Sequence, residues 1–341
     1  MRKQNETASR PLSILVTGGT GFLGKRLVQK LLNEGHEVTV FSRNPHDDLP
    51  PEVNPFIGDI RDRAALKSAF KKIDVVYHLA INLNESDPEM YEINTKGTKN
   101  VVDLCKESGV KQIIYMSSSG VLGETKIPAK ETFPYNPKTK YEKSKMKSES
   151  MIKDSNVPYT IVRTTIVIGP NLIWAQIFEA AKKGYPIIGS GKNYFHLVYV
   201  EDVVNFLDIV KNNPKALNNI FHLASSDTPT YYEVYKMITE ELGVKMTEKH
   251  VPVFLAYMAS YIHTVKRKLR GKQPSLTKSK SSIDRLIRNR IISTEKIRTL
   301  LGFEPEYNTR SAIHETIKYL KIARLGYSDY ELTEIKKVKG E

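Results

Sequence analysis

Tyr141 and Lys145 stand four residues apart in the stretch from Pro134 to Lys147, PYNPKTKYEKSKMK, and on a helix that spacing puts both side chains on one face. The chemistry they could share is proton transfer. A free tyrosine has a pKa of about 10, so acid or base work near neutrality asks for a shift of about 2 to 3 units, and a neighbouring ammonium favours the phenolate. A third group lies upstream, in the run Ser117 to Ser119 that closes an apolar stretch. One hydroxyl there would hydrogen-bond a substrate oxygen while the tyrosine exchanges its proton. Five lysines crowd the same stretch, so a solvated basic face is the competing reading. The surrounding elements decide between the two.

Those elements alternate. Short β-branched runs, LSILV from Leu12, EVTVF from Glu37, PFIGD from Pro55, DVVYHLA from Asp74 and KQIIYMSSS from Lys111, are separated by helical patterns such as KRLVQKLLNEG and TKGTKNVVDLCKESG. The pattern predicts an α/β protein with a Rossmann-type doubly wound parallel sheet of buried strands. In such sheets ligands bind beyond the carboxyl ends of the strands, where the serine run falls. Gly18, Gly21 and Gly24 stand at G-x-x-G-x-x-G spacing between the first run and an amphipathic helix. The first allows a tight turn, the second a close approach of backbone to a pyrophosphate, the third close helix–strand packing, with the helix N-terminus holding the anion. A bland glycine turn would not need that placement. At the end of the second run, where a carboxylate would bind the ribose hydroxyls of NAD, the chain reads Phe41-Ser42-Arg43. Arg43 can pair a 2′-phosphate bidentately, so NADP(H) is favoured, with NAD(H) the alternative.

Composition excludes several classes. With 40% hydrophobic and 26% charged residues over 341 positions, the chain is an ordinary globular protein, with room for a large α/β domain and a smaller lobe. Cys105 is the only cysteine, which rules out an intrachain disulfide and suits a reducing compartment. MRKQNETASRP lacks the apolar core of a signal peptide, and no run of about 18 apolar residues is present, so a cytoplasmic location is expected. No Cys/His cluster has metal-ligand spacing, and no metal is assigned. The formal charge of +14 is concentrated between His263 and Arg298, where twelve Lys or Arg face only Asp284 and Glu295.

Assembled in order, TGGTGFLG, Gly58-Asp59, His78-Leu79-Ala80, INTKGTKNVV, YMSSSGVLG, YEKSK, VRTTIVIGP and HLVYVEDVV make the chain resemble the extended short-chain dehydrogenase/reductase superfamily over roughly residues 12 to 325. The resemblance implies that Ser118 is the catalytic serine, with Ser119 the runner-up, beside Tyr141 and Lys145. It implies that Asp59 and Ile60 hold adenine, that Lys145 also grips the nicotinamide ribose, and that Thr20, Phe22, Leu23, Leu79, Ala80, Tyr141 and Thr165 join the glycines around the cofactor. It also implies a homodimer through the helices bearing Asn100 and Tyr141.

Substrate is less constrained. Sugar-nucleotide members of the superfamily often carry an arginine where this chain has Phe195, and an asparagine where it has Ile166. Both expected diphosphate contacts are thus apolar, which predicts hydride transfer on a mainly apolar carbonyl or alcohol, nearest in pattern to the dihydroflavonol reductase and 3β-hydroxysteroid dehydrogenase branch. A nucleotide-sugar epimerase or dehydratase with tightly bound cofactor is the alternative, and a non-catalytic NADP-binding subunit a third reading that the retained Tyr-x-x-x-Lys pair argues against. Thr164 replaces the superfamily's usual proline after Arg163. His196 lies near the expected pocket, more as a packing residue than a catalyst, and His78 reads as structural.

The expected organisation is a polar tail over 1–11, an NADP-binding core over 12–165, a substrate lobe with returning core segments over 166–325, and a second polar tail over 326–341. One further segment, 251–272, sets twelve mostly apolar residues against Lys266-Arg-Lys-Leu-Arg. It reads as a lobe helix covering the substrate pocket, or as a peripheral membrane contact. Nucleic-acid binding is not expected, since no aromatic interleaving or recognised motif accompanies the charge.

Overall fold

The computed structural model describes residues 10–43, 49–270 and 280–322. Most of the two polar tails, and parts of the basic segment 263–298, therefore lie outside the described residues. In chain order the strands are β1 (Ser13–Thr17), β2 (Glu37–Ser42), β3 (Asn54–Ile57), β4 (Val75–His78), β5 (Gln112–Ser118), β6 (Tyr159–Thr164), β7 (Ile166–Ile168), β8 (Ile187–Ile188), β9 (Leu197–Tyr199), β10 (Asn219–Leu223) and β11 (His250–Val251). The helices are α1 (Phe22–Asn33), α2 (Arg63–Ser68), α3 (Met90–Glu107), α4 (Lys140–Lys153), α5 (Leu172–Lys182), α6 (Val200–Val210), α7 (Tyr231–Leu242), α8 (Val253–Leu269), α9 (Lys280–Ile287), α10 (Glu295–Leu301) and α11 (Thr309–Ile322).

Seven strands form one sheet in the order β10-β6-β5-β4-β1-β2-β3, every pairing parallel. The strand period of two divides β1 between two cores: Ile14 and Val16 pack with Leu27, Val28 and Phe206 on one face, Leu15 with Leu66, Val101 and Ile113 on the other. Both faces are thus covered by helices, which makes the sheet doubly wound. The chain winds outward from β1 to β3, then returns to place β4 on the other side of β1. That reversal opens a crevice beyond the carboxyl ends of β1 and β4, and the glycine turn and Leu79-Ala80 border it.

The remaining elements build a lobe around Trp174, Phe178, Leu197, Val234 and Ile313. β10 and α6 return to the main sheet. Within the motif HLVYVEDVV the strand stops at Tyr199, and Val200 starts α6. Asp202 lies in the first turn of α6, and its buried carboxylate accepts the backbone N–H groups of Glu306 and Tyr307 at 2.8 and 3.2 Å, tying that turn to the lobe. Burial raises its pKa to about 6.

Candidate active site

The glycine turn has the shape a pyrophosphate requires. Gly18 has φ +75°, and a Cβ there would come within 2.7 Å of the Ala80 nitrogen. At Gly24 a Cβ would sit 2.3 Å from the Gly18 carbonyl oxygen, so only glycine lets α1 lie this close to β1. Gly21 caps α1 without a side-chain acceptor, and the first turn holds no acid, which leaves the N–H groups at Phe22, Leu23 and Gly24 directed at the crevice. Thr20 borders the same turn, half-buried. The cradle therefore fits a dinucleotide.

Farther along, Asp59 and Ile60 follow β3. The Asp59 carboxylate accepts from the Arg61 guanidinium at 2.8 and 3.1 Å, and that pairing, aided by Arg43 through space, holds its pKa below the usual carboxylate range. Arg43 is exposed at the end of β2, facing this pair. Ile60 is buried against Gly97, and the Asn100 amide donates to the Ile60 and Arg61 carbonyls at 3.0 and 2.9 Å. Asn100 thus fixes the loop after β3 from within one chain.

Ser118, Tyr141 and Lys145 come together at the carboxyl end of β5. Ser118 ends the strand and caps the short 3-10 turn Ser119–Leu122, its Oγ accepting the Gly120 N–H at 3.1 Å. α4 begins with a capping box in which Thr139 and Glu142 satisfy each other's backbone, and this fixes where Tyr141 enters. The helix turns Tyr141 and Lys145 inward, while Lys138, Lys140, Lys143 and Lys147 are exposed. Lys145 is buried, donates from Nζ to the Met116 carbonyl, and lies 4.6 Å above the Tyr115 ring and 6.0 Å from the Tyr141 ring centre.

The electrostatics depart from expectation. Burial pushes Tyr141 up to about 12; Arg285 and Arg290 through space and the Ser118 hydroxyl pull it back in part, while Glu142 pushes it further up. Burial also brings Lys145 down to about 7, offset in part by Glu149. Burial thus outweighs the anticipated depression of the tyrosine, and the same desolvation lowers the pKa of the ammonium itself.

Beneath these groups lies a hub the sequence reading missed. Glu149, wholly buried, accepts from Arg163 at 2.7 and 3.0 Å, from the Tyr135 hydroxyl at 2.7 Å and from Ser117. It ties β5, β6 and α4 together directly under Lys145. Its signal was available: Tyr141, Lys145 and Glu149 run at i, i+4 and i+8. A second polar chain, Thr17–His78–Thr98–Ser148, links β1 to α4 through contacts of 2.8, 2.9 and 3.1 Å. His78 is kept neutral there by burial and is structural.

On the substrate side, Ile166 is half-buried in β7 and Phe195 and His196 are buried in the lobe. His196 donates from Nε2 to the Ser225 carbonyl, 2.9 Å away, and its buried Nδ1 has no partner among the described residues. The buried hydroxyls of Ser119 and Thr165 lack partners among the described residues. The apolar wall expected around Phe195 is interrupted, because Phe195 forms a backbone bridge with Arg290. Arg290 is buried against Glu142, half-buried Arg288 approaches the same carboxylate at 3.6 Å, and the Arg290 Nε has no partner among the described residues. The positive charge missing at position 195 thus enters from a distant segment. A separate open cleft of about 370 Å³ in the lobe, bordered by Ile188, Asn193, Val253 and Ile287, includes none of Ser118, Tyr141 and Lys145.

The profile of the NAD dependent epimerase/dehydratase family matches residues 14–224. Among curated proteins, the chain is 25% identical over 319 residues to N-acetyl-alpha-D-glucosaminyl-diphospho-ditrans,octacis-undecaprenol 4-epimerase of Escherichia coli O157:H7, covering 90% of this chain and 95% of that one. It is 29% identical over 346 residues to the decarboxylating sterol-4-alpha-carboxylate 3-dehydrogenase of Saccharomyces cerevisiae, covering 90% and 97%. Among solved structures, the Bordetella bronchiseptica enzyme WbmG in complex with NAD and UDP superposes with a TM-score of 0.74 at 20% identity, covering 92% of this chain and 96% of that one. The Thermotoga maritima UDP-glucose 4-epimerase with UDP-glucose gives 0.74 at 23%, covering 92% and 99%. At such identities the structural likeness speaks for the fold alone.

Proposed function

The chain belongs to the NAD dependent epimerase/dehydratase family and is an NAD(P)-dependent oxidoreductase of the extended short-chain type; from that premise we propose that it transfers hydride between NADP(H) and a carbonyl or alcohol carbon of a mainly apolar small molecule. The observation that carries this reading is the convergence of Ser118, Tyr141 and Lys145 at the crevice bordered by the glycine turn. The nicotinamide supplies the hydride when bound. Tyr141 Oη gives its proton to the substrate oxygen during reduction, and takes it back during oxidation. Ser118 Oγ holds that oxygen in line. Lys145 Nζ, near its midpoint at neutral pH, returns a proton to the tyrosine side of the site. Thr165 and Ser119 hold hydroxyls in reserve for polar groups of the ligands.

Arg285 and Arg290 refine the substrate. Their field already reaches the Tyr141 hydroxyl, so a substrate with an anionic group near its reacting carbon would be favoured over a neutral one. The relatives named for sterol carboxylates and for an undecaprenyl diphosphate both suit an apolar body bearing an anion. The decisive experiment follows nicotinamide absorbance with a panel of neutral sterols and ketones, their carboxylated counterparts, and nucleotide or polyprenyl-diphosphate sugars. Turnover of carboxylated ketones or alcohols supports the reading. Interconversion of a sugar with no net cofactor consumed, by protein that keeps nucleotide through dialysis, replaces it with the epimerase reading that Arg290 also favours.

Arg43 supports the NADP(H) preference. Loss of a charge-assisted contact to a 2′-phosphate costs about 1.5–3 kcal/mol, so Arg43→Ala should raise KM for NADPH roughly 10- to 100-fold and leave KM for NADH nearly unchanged. Equal effects on both cofactors would remove the basis for the preference. For the assembly we carry forward a homodimer through α3 and α4, to be read by light scattering.

A further inference from the structure

α8 is built inside out. Most of its exposed side chains are apolar: beside Leu255, the residues Phe254, Met258, Tyr261, Ile262, Val265 and Leu269 show 62%, 55%, 73%, 49%, 39% and 83% exposure. At about 100° per residue these seven fall within an arc of about 120°. The opposite side carries Ala256, Ser260, His263 and Thr264, and it is this polar, small-residue side that turns toward the protein, with Ser260 buried. Instead of covering the lobe with its apolar face, the helix presents that face to the outside. Scattered exposed apolar residues are ordinary, but a continuous stripe along one helix is a surface that water alone leaves uncompensated.

We propose that this stripe docks the protein on an anionic lipid bilayer, with α8 lying in the interface plane. The commitment to lipid rests on charge. The helix contains no acid along its whole length. Lys266, exposed, flanks the apolar arc and Arg270, also exposed, follows directly on the last helical residue, where long cationic side chains reach lipid phosphates while the apolar residues enter the acyl boundary. With 17 residues the helix is too short to cross a membrane, and no helix among the described residues is long and apolar enough to do so. A second copy of the chain would bring the same cations to the contact, whereas an anionic headgroup neutralises them.

The docked helix is also wired to the candidate site. The Tyr257 hydroxyl donates to Asp284 at 2.5 Å, Asp284 pairs with Arg288 at 3.3 Å, and Arg288 reaches Glu142, the neighbour of Tyr141, at 3.6 Å. A bilayer under α8 therefore lies against the same lobe that borders Tyr141, which suits delivery of an apolar substrate without a passage through water. The docking itself does not depend on the reaction proposed above.

The test is cosedimentation of the full chain with vesicles of phosphatidylcholine alone, and of roughly two parts phosphatidylcholine to one part phosphatidylglycerol. Binding to the mixed vesicles, weakened by salt, is expected, with binding to neutral vesicles at least tenfold weaker. F254S/Y261S should lower binding to the mixed vesicles at least tenfold, and K266E/R270E should abolish the preference for phosphatidylglycerol; both variants change exposed side chains and should retain the wild-type unfolding midpoint. Failure of the wild type to sediment with either vesicle overturns the proposal. So does a wild-type dimer that F254S/Y261S converts to monomer without any vesicle binding, which would assign the stripe to a second copy.

Discussion

Tyr141→Phe should lose about 10²- to 10⁴-fold in kcat, the range spanned by general acid–base groups, while binding nicotinamide nucleotide as the wild type does. The substitution removes one oxygen and leaves the ring, so packing on α4 is unchanged. The pH behaviour follows from the tyrosine's position. With its pKa pushed up to about 12, Tyr141 is protonated throughout the neutral range. Reduction uses the protonated form, which is fully present below that value, so its rate should be flat with respect to this group between about pH 6 and 9. Oxidation uses the phenolate, whose fraction rises tenfold per pH unit below the pKa, so its rate should climb across the same window. The Tyr141→Phe variant should show neither behaviour. A Y141F enzyme that keeps its turnover, or an oxidation rate that falls with rising pH, would remove Tyr141 from the reaction.

How much of this was legible beforehand follows from the range over which each feature is determined. Parallel strands buried on both faces must be nearly continuous runs of Ile, Val and Leu, so the alternation of strand and helix stood out from Leu12 to Ser119. The glycine turn was legible because its steric demand is local: Gly18, Gly21 and Gly24 all act within one strand–helix junction. The helix bearing Tyr141 and Lys145 was legible for the same reason, and its next inward position, Glu149, could have been read from the spacing. Arg290 could not. It meets Phe195 through a backbone bridge between segments some 95 residues apart, as neighbouring Tyr194 and Asn289 show, and no periodicity encodes such a meeting. The sequence of α8 likewise showed an apolar run followed by basic residues without revealing which way its apolar side chains turn. The tyrosine's pKa failed for a related reason: a pairwise rule counted the ammonium, while burial of both groups decided the sign.

Glu149→Gln should destabilise the fold by about 3–5 kcal/mol, the usual cost of leaving a buried charge without its partner. Arg163 and Glu149 are 2% and 0% exposed, and the carboxylate takes two guanidinium bonds as well as the Tyr135 hydroxyl. An amide keeps the volume but cancels the charge, and its N–H₂ group faces donors. The loss should appear as a lower denaturant midpoint with the slope unchanged, provided that different probes give coincident transitions. Replacing both partners tests the cause. A Glu149→Leu/Arg163→Leu double variant leaves no orphaned charge, so it should recover much of the loss relative to Arg163→Leu alone, giving a coupling energy well above that of a surface pair. The same Glu149→Gln substitution carries a signature that mere destabilisation would not. Glu149 is the group that holds the Lys145 pKa up against burial, so its neutralisation should move the lysine's ionisation, and any activity limb that depends on it, to lower pH. An unchanged midpoint would show that Arg163 is compensated elsewhere; a lower midpoint with an unmoved pH profile would confine Glu149 to the fold and separate it from Lys145.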